Sequence, residues 1–360
     1  MTIDHLNVVV AGGGTAGHIE PALAVALELR KRGANVIALG TPRGLEKDLV
    51  PARGVELRMI TPVPIPRKLT GDLFKVPLKL SKTLRETRQI LKNHNTDVLI
   101  GFGGYVAAPG YLAAKSLQIP FVMHEANARA GMANKLGARL GGLGLNAVAN
   151  SGMPGEIVGI PIRSGLTAHA DITAARERGM QLWNLDHTRK TILIIGGSQG
   201  AQSLNNAINL QADRLIDAGY QVLIAYGPKN QPPTPREHLH AVPYIDDMAA
   251  AYQVADLIVC RSGAMTVAEV TAAGIPALYV PLPHGNGEQG LNAAAVVEAG
   301  AARIVSDAEV LNDLIPQVLE IMQDTQELAK MREAARASSV GNAAERIADI
   351  VISVAKKHRK

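Results

Sequence analysis

Residues 12–18, Gly12-Gly13-Gly14-Thr15-Ala16-Gly17-His18, join a glycine loop to a histidine at its exit. Apolar residues 6–10 precede them, and Ile19-Glu20-Pro21-Ala22-Leu23-Ala24-Val25-Ala26-Leu27 follows with helical apolar spacing. The order is therefore strand, loop, helix. Such a junction favours anions, because glycines let a ligand approach the backbone and a helix start offers unpaired N–H groups at the positive end of its dipole. His18 stands where a proton could be moved, since an ordinary imidazole pKa of about 6.5 lies near working pH. Gly12-x-Gly14-x-x-Gly17 also satisfies the dinucleotide fingerprint, which wants an acidic residue at the end of the second strand to hold a ribose diol. Here that strand, Asn35-Val36-Ile37-Ala38-Leu39, runs into Gly40-Thr41. An NAD site is disfavoured, and glycines that serve only strand–helix packing are the plain alternative.

Three further stretches carry candidate chemistry. Gly101-Phe102-Gly103-Gly104-Tyr105 is a second glycine turn after an apolar run, and its tyrosine either packs or lines the site. His124-Glu125-Ala126-Asn127 places three polar residues at a strand's carboxyl end, where a structural hydrogen-bond cluster is the alternative. Arg261-Ser262-Gly263 opens a helix expected over about 264–273, a junction that suits a diphosphate. Glu269, one to two turns in, could accept both hydroxyls of a ribose, against the alternative of a solvated glutamate on an ordinary capped helix. No Asp-x-Asp and no His-Glu-x-x-His occurs, so a departing diphosphate would be stabilised by helix dipoles and donors, with no metal and no cofactor required. Cys260 is the only cysteine, which excludes an intrachain disulfide and a cysteine zinc site.

These groups need elements to hold them. A chain of 360 residues is long enough for two domains with separate cores. Residues 6–10, 36–39, 98–100, 121–123 and 157–163 read as strands with helical patterns between, which implies a parallel sheet covered on both faces. At Thr191 the design restarts: Ile192-Leu193-Ile194-Ile195, then Gly196-Gly197-Ser198-Gln199-Gly200, then a helix. Residues 222–226, 257–260 and 277–280 continue it as strands. The expectation is an α/β chain of two Rossmann-like, doubly wound domains, 1–163 and 164–340, with a cleft between the halves at the strands' carboxyl ends. The last helix, about 341–357, has apolar Ala343, Ile347, Ile350, Val351 and Val354 and is expected to pack back on the first domain.

Charge is unevenly spread. The net +5 comes from 37 basic and 32 acidic residues, yet Arg67, Lys68, Lys75, Lys79, Lys82, Arg85, Arg88 and Lys92 face only Asp72 and Glu86 across 67–92. Lys356, Lys357, Arg359 and Lys360 add a basic tail, leaving a mildly acidic body. Aromatic residues make up 3% of the chain and none interleave with the basic stretch, so no nucleic-acid partner is expected. Pro77 can start a helix on which Leu80, Leu84 and Leu91 share a face flanked by Lys79, Lys82, Arg85 and Lys92, with Leu73, Phe74 and Val76 just before it. That pattern suits an anionic membrane surface, or alternatively a solvated helix on the core. No signal peptide and no apolar run near 18 residues is seen, so the protein is expected inside the cell, touching a membrane only from its surface.

Taken together, Gly13-Gly14-Thr15-Ala16-Gly17-His18, Gly103-Gly104-Tyr105, His124-Glu125-Ala126-Asn127, Gly196-Gly197-Ser198-Gln199-Gly200-Ala201, Ile245-Asp246-Asp247-Met248 and Cys260-Arg261-Ser262-Gly263-Ala264-Met265-Thr266-Val267-Ala268-Glu269 occur in the order found in the MurG family. The chain resembles that family along most of its length, departing at Ala16, where the family often has glycine. The resemblance implies a GT-B glycosyltransferase that transfers N-acetylglucosamine from UDP-GlcNAc to the lipid-linked muramoyl-pentapeptide of peptidoglycan, and so serves cell-wall growth, shape and division. It implies a peripheral enzyme at the cytoplasmic face of the membrane. By the same resemblance Ile245, Ser198, residues 264–268 (Ala264, Met265, Thr266, Val267, Ala268), Glu269 and Gln289 bind UDP-GlcNAc, with Asn127, Arg163, Thr15, Ala16 and Gly17 reaching it. Gly13, Gly14, Gly103 and Gly104 would take the acceptor's diphosphate. His18 is the favoured base, His124 paired with Glu125 the rival, and Tyr105 lines the catalytic site. A sugar-nucleotide 2-epimerase of the same fold is the nearest alternative activity, and a non-catalytic nucleotide-binding membrane adaptor the alternative from another class.

Overall fold

The computed structural model describes residues 6–63, 76–162, 171–283, 287–339 and 341–359. Arg163, residues 67–75 of the basic stretch and the tail's Lys360 lie outside them. Two compact units form, one of Met1–Arg163 with Asn342–Lys360 and one of Ser164–Gly341.

The first unit holds seven parallel strands: β1 (Asn7–Ala11), β2 (Asn35–Gly40), β3 (Glu56–Met59), β4 (Val98–Gly101), β5 (Phe121–Glu125), β6 (Leu143–Asn146) and β7 (Glu156–Ile157), in the order β3-β2-β1-β4-β5-β6-β7. The second holds six: β8 (Thr191–Ile195), β9 (Gln221–Ala225), β10 (Leu239–Val242), β11 (Ala255–Cys260), β12 (Ala277–Tyr279) and β13 (Ala302–Ile304), in the order β10-β9-β8-β11-β12-β13. The central strands are apolar without alternation because helices cover both faces, as Val8, Val9 and Val10 show by full burial. Both sheets are doubly wound, as the strand–helix alternation predicts. The strand expected over 157–163 is only Glu156–Ile157, and β3, β6, β10 and β13 were not anticipated.

In each sheet the winding reverses once, between β1 and β4 and between β8 and β11. Loops that leave such neighbours diverge and open a crevice at the carboxyl edge. One face of the first sheet packs against the helix Ala16–Lys31 and the returning helix Ala343–His358. That last helix buries Ala343, Ile347, Ala348, Val351, Ile352 and Ala355, a stripe at helical spacing. It is tied by charge at its middle and just past its end: Arg32 pairs with Asp349, and Arg359 donates to both oxygens of Asp97 at 2.7 and 2.6 Å. Asp97 in turn accepts the Asn7 N–H at 2.8 Å, at the start of β1.

β5 ends in two side chains that do not pair, because successive residues of a strand point to opposite faces. His124 is fully buried beside the Phe102 ring, with centroids 5.6 Å apart, and its Nε2–H donates to Gly159 O at 2.8 Å. Its Nδ1 is enclosed without a partner among the described residues, and burial pushes its pKa below the ordinary value. Glu125 is also buried, and each of its oxygens is used. Oε1 accepts the Asn127 N–H at 3.0 Å and Asn127 Nδ2 at 3.2 Å, while Oε2 accepts the Gly131 N–H and Asn134 Nδ2, both at 2.9 Å. The buried Tyr111 hydroxyl donates to Asn134 Oδ1 at 2.7 Å, which fixes the amide. The His124 and Glu125 side chains thus do not pair: Glu125 anchors loop 126–131, while His124 ties the end of β5 to Gly159.

Two outcomes follow from this packing. Ile347→Ala should cost the first unit about 2–5 kcal/mol in urea unfolding, the range for a buried isoleucine truncated in a core. A loss under about 1 kcal/mol would show that the last helix is not part of that core. For His124, the unfolded chain takes up a proton near pH 6.5 that the folded chain refuses, so stability falls as pH drops below about 6.5 toward the lower folded pKa. His124→Gln keeps a donor for Gly159 O and removes that uptake. Its unfolding midpoint should therefore fall less between about pH 7.5 and 5.5 than the parent's, and equal falls would refute the assignment.

Candidate functional site

In the first unit the candidate groups gather where β1 and β4 end side by side. Ala11 pairs with Gly101, and the Phe102 N–H donates to Ala11 O at 2.8 Å, so the two glycine loops leave the sheet at one level. Gly104 has φ +74°, and a Cβ there would collide with Gly13 O. Gly14 has φ +90°, and a Cβ would lie 2.8 Å from the Tyr105 ring. Conformation and close approach both demand glycine at these positions.

His18 is the third residue of the helix Ala16–Lys31 and is half-buried. Its imidazole lies against the second loop, since a Cβ on Gly103 would be 3.2 Å from Nε2 and one on Gly104 would be 3.2 Å from Nδ1. Thr15 makes no side-chain capping bond to the helix; its Oγ1 is 3.0 Å from His18 Nδ1 instead. The tautomer that donates from Nδ1 to Thr15 carries its lone pair on Nε2, the form a general base needs. Thr15, Ala16 and Gly17 are exposed on the first turn.

Glu46 completes this cluster, and sequence reasoning missed it. It starts the short helix Glu46–Ala52 and is fully buried. Oε2 accepts the Gly14 N–H at 3.1 Å; Oε1 accepts the Thr41 N–H and hydroxyl, both at 3.1 Å, and the Tyr105 hydroxyl at 3.2 Å. Burial raises the Tyr105 pKa, which keeps the phenol a protonated donor. Its oxygen is held between Thr41 and Glu46, so Tyr105 packs on Gly14 and braces the loops. The acidic group missing from the end of the second strand does exist, a few residues on and turned inward onto the glycine loop.

The helix Val76–Asn93 turns Thr83, Thr87 and Leu91 inward. Glu86 accepts the Thr61 N–H at 2.7 Å and hydroxyl at 2.9 Å. Lys79, Lys82, Arg85, Arg88 and Lys92 are exposed, together with Leu78 and Leu80 at 76% and 37% exposure. Leu80, Leu84 and Leu91, read as sharing one face, differ in burial: Leu91 is buried, Leu84 half-buried and Leu80 exposed. An open depression of about 370 Å³ is lined by Leu84, Arg85, Arg88 and Lys92 with Ser81 and Gln89.

The second unit repeats the strand–loop–helix junction. Ile195 pairs with Cys260, so the loops after β8 and β11 start together. Ser198 is exposed in the first loop, which Asn230 Nδ2 braces by donating to Gln199 O and Tyr226 O, both at 2.8 Å. The second loop feeds the helix Ala264–Ala272, whose N-cap Gly263 supplies no side-chain bond. The N–H groups of Ala264, Met265 and Thr266 thus lie outside the helix's own ladder. Glu269 is buried one to two turns in, with Oε2 accepting the Tyr252 hydroxyl at 3.0 Å. Val267 is buried and Ala268 half-buried on the same helix. Ile245 is buried two residues before Asp247, which caps the helix Met248–Val254 by accepting the Ala250 N–H at 2.9 Å. Gln289 Oε1 accepts the Leu282 N–H at 3.0 Å. Arg261 is engaged within the unit: Nη1 donates to Asp307 at 2.6 Å and Nη2 to Ser203 Oγ at 3.1 Å.

The structure therefore brings Gly13, Gly14, His18, Gly103, Gly104 and Tyr105 together, and sets His124 and Glu125 apart as anchors. Asn127 is half-buried on the loop that Glu125 holds. Among the described residues no group of three or more His, Cys, Asp or Glu side chains could hold a metal ion.

Residues 8–140 match the glycosyltransferase family 28 N-terminal domain, and residues 191–347 match its C-terminal domain. The chain is 62% identical to the UDP-N-acetylglucosamine–N-acetylmuramyl-(pentapeptide) pyrophosphoryl-undecaprenol N-acetylglucosamine transferase of Corynebacterium diphtheriae, over 98% of each chain. It is 48% identical to the protein of the same name from Mycolicibacterium smegmatis, over 99% of this chain and 96% of that one. The crystal structure of Acinetobacter baumannii MurG is similar with a TM-score of 0.75 at 31% identity, over 98% of this chain and 100% of that one. A UDP-GlcNAc 2-epimerase from Neisseria meningitidis, at 16% identity and a TM-score of 0.70 over 97% of this chain and 100% of that one, shares the fold. Both family domains are matched in order, and the relatives align from end to end: the chain belongs to glycosyltransferase family 28.

Proposed function

We propose that this protein transfers N-acetylglucosamine from UDP-GlcNAc to the C4 hydroxyl of the lipid-linked N-acetylmuramoyl-pentapeptide, inverting the anomeric carbon. The observation that carries this reading is the 62% identity, over 98% of both chains, to a relative whose name states that donor and acceptor. The 2-epimerase alternative has a likeness of fold alone.

In this reading the second unit holds the donor. The Ile245 backbone meets the uracil, Glu269 steadied by Tyr252 takes the ribose hydroxyls, and Ser198 with the start of the helix Ala264–Ala272 takes the diphosphate. Gln289 reads sugar hydroxyls, and Thr15, Ala16, Gly17, Asn127 and Arg163 complete the donor contacts. In the first unit Gly13, Gly103 and Gly104 shape the place of the acceptor diphosphate. Gly14 contributes shape there, because its N–H is held by Glu46. The acceptor oxygen attacks the anomeric carbon as the bond to UDP breaks, and its proton passes to His18 Nε2. The electron pair leaves with the diphosphate, where helix N–H groups and dipole stabilise it. His124 is the poorer base, being enclosed and made a weaker proton acceptor by the burial that lowers its pKa.

A helix that exposes Leu78 and Leu80 together with Lys79, Lys82, Arg85 and Arg88 suits an anionic lipid surface, where an undecaprenyl-linked acceptor resides. The protein is then peripheral at the cytoplasmic face. No helix of the described residues is long and apolar enough to cross a membrane.

UDP release from UDP-GlcNAc should require the lipid-linked muramoyl acceptor; release or epimerisation without it would reject the transferase reading. His18→Ala should lower kcat about 10²–10⁴-fold, the usual worth of a general base, with donor KM close to the parent's. A collapse in His124→Gln beside an unchanged His18→Ala would move the base to His124. Lys79→Glu combined with Lys82→Glu should weaken binding to anionic vesicles while sparing turnover of a short, soluble acceptor. Equal vesicle binding by variant and parent would remove the membrane role from this helix.

A further inference from the structure

We infer that Glu46 is a positioning residue of the transfer reaction, a buried carboxylate that clasps the two glycine loops against which His18 rests. The inference rests on the transferase reading above. Four hydrogen bonds converge on its two oxygens, and all four come from neutral donors, Gly14, Thr41 (twice) and Tyr105. They gather three separate parts of the chain, the loop after β1, the end of β2, and the residue that follows Gly103-Gly104. The cradle is shaped for this side chain. A Cβ on Gly13 would stand 3.1 Å from Oε1, one on Gly40 would stand 2.6 Å from Cγ, and one on Gly44 would collide with the carboxylate itself.

The requirement is chemical as well as steric. Each carboxylate oxygen faces one backbone N–H, Gly14 for Oε2 and Thr41 for Oε1, and a backbone N–H cannot turn round to accept. A glutamine of the same shape must point its NH₂ at one of them in either orientation. Releasing Gly14 or Tyr105 frees the residues on either side of the contact between Gly13 O and Gly104, where the imidazole of His18 lies. Glu46 touches neither substrate in this account; it acts by holding the base and the acceptor's seat in register.

The test is E46Q in the full chain, with kcat, donor KM and UDP affinity measured together. A misplacement of the reacting groups by about 1 Å costs on the order of 10²-fold, so kcat should fall roughly ten- to a hundredfold. UDP affinity should stay within about twofold of the parent, because Glu46 touches none of the second-unit groups that this reading gives to the nucleotide, Ser198, Ile245 and Glu269. E46Q with kcat within about twofold of the parent, or with UDP affinity falling as far as kcat, overturns the inference. If E46Q does not fold, T41V decides, since it removes one hydroxyl from the clasp and leaves both backbone donors. It should lower kcat roughly three- to tenfold, since the hydroxyl bonds Glu46 and also meets the Tyr105 hydroxyl at 2.8 Å, with T41S restoring it, and an unchanged kcat in T41V overturns the inference. A parent protein without acceptor-dependent UDP release refutes the transferase reading itself, so the two failures are distinct.

Discussion

The chemistry of this chain depends on one pairing made twice: a parallel strand beside the neighbour from which its own connection turns away. β1 touches β4 through a register that sets Ala11 opposite Gly101, and β8 touches β11 with Ile195 opposite Cys260. A parallel sheet forces every connection over a face, so only at the reversal do two loops leave the same edge in different directions. In the first unit that geometry presses Gly13 O against Gly104 and sets the first helical turn beside them. His18 is useful because it stands on that turn. The same side chain one residue earlier or later would project about 100° round the helix and miss the second loop.

The frame that keeps this register is assembled from distant parts of the chain. The last helix covers the sheet face opposite the helices that follow β3 and β4, so its removal would expose the backs of β1 and β4. Arg359 and Asp97 connect the chain's end to the entry of β4, and Asp97 reaches on to the entry of β1 through Asn7. Both strands that carry the crevice are thus fixed at their amino ends by one carboxylate and at their carboxyl ends by another, Glu46.

What was legible in the sequence follows the same physics. Central strands such as Val8-Val9-Val10 and Ile192-Leu193-Ile194 lie under helices on both sides, so they read as unbroken apolar runs. The peripheral strands β3, β10 and β13 carry Glu56, Arg58, His240 and Arg303 and show no such run, while β6 holds Gly144 and Asn146. The strand, glycine loop and helix that carry His18 were legible because they are contiguous in sequence. Glu46 was not, since it meets Gly14 across 32 residues by a hydrogen bond that leaves no period. His124 and Glu125 were read as a pair from adjacency, yet the strand that carries them separates them. On the helix Val76–Asn93 the shared leucine spacing suited a lipid surface or the core alike, and of the three leucines only Leu91 is fully buried on the inner face. Thr83 and Thr87 join it there, because their hydroxyls find Thr61 O and Thr83 O, both at 2.7 Å, and go in with bonds made.

The two glycine loops share a pattern and differ in charge, and that difference bears on which phosphate each receives. In the first unit a carboxylate is buried directly beneath the loop and occupies the Gly14 N–H. The Gly14 N–H is thereby taken up inside the unit and is not offered to a phosphate. The second unit braces its loop differently, with the neutral Asn230 amide donating to the Gln199 carbonyl. No side chain caps the helices Gln202–Asp217 and Ala264–Ala272 there, so their leading N–H groups are outside the internal ladder. The unit with donors to spare suits the leaving diphosphate, whose charge grows as the sugar departs. The unit with the buried carboxylate instead spends a loop donor, the Gly14 N–H, on holding its own loops together.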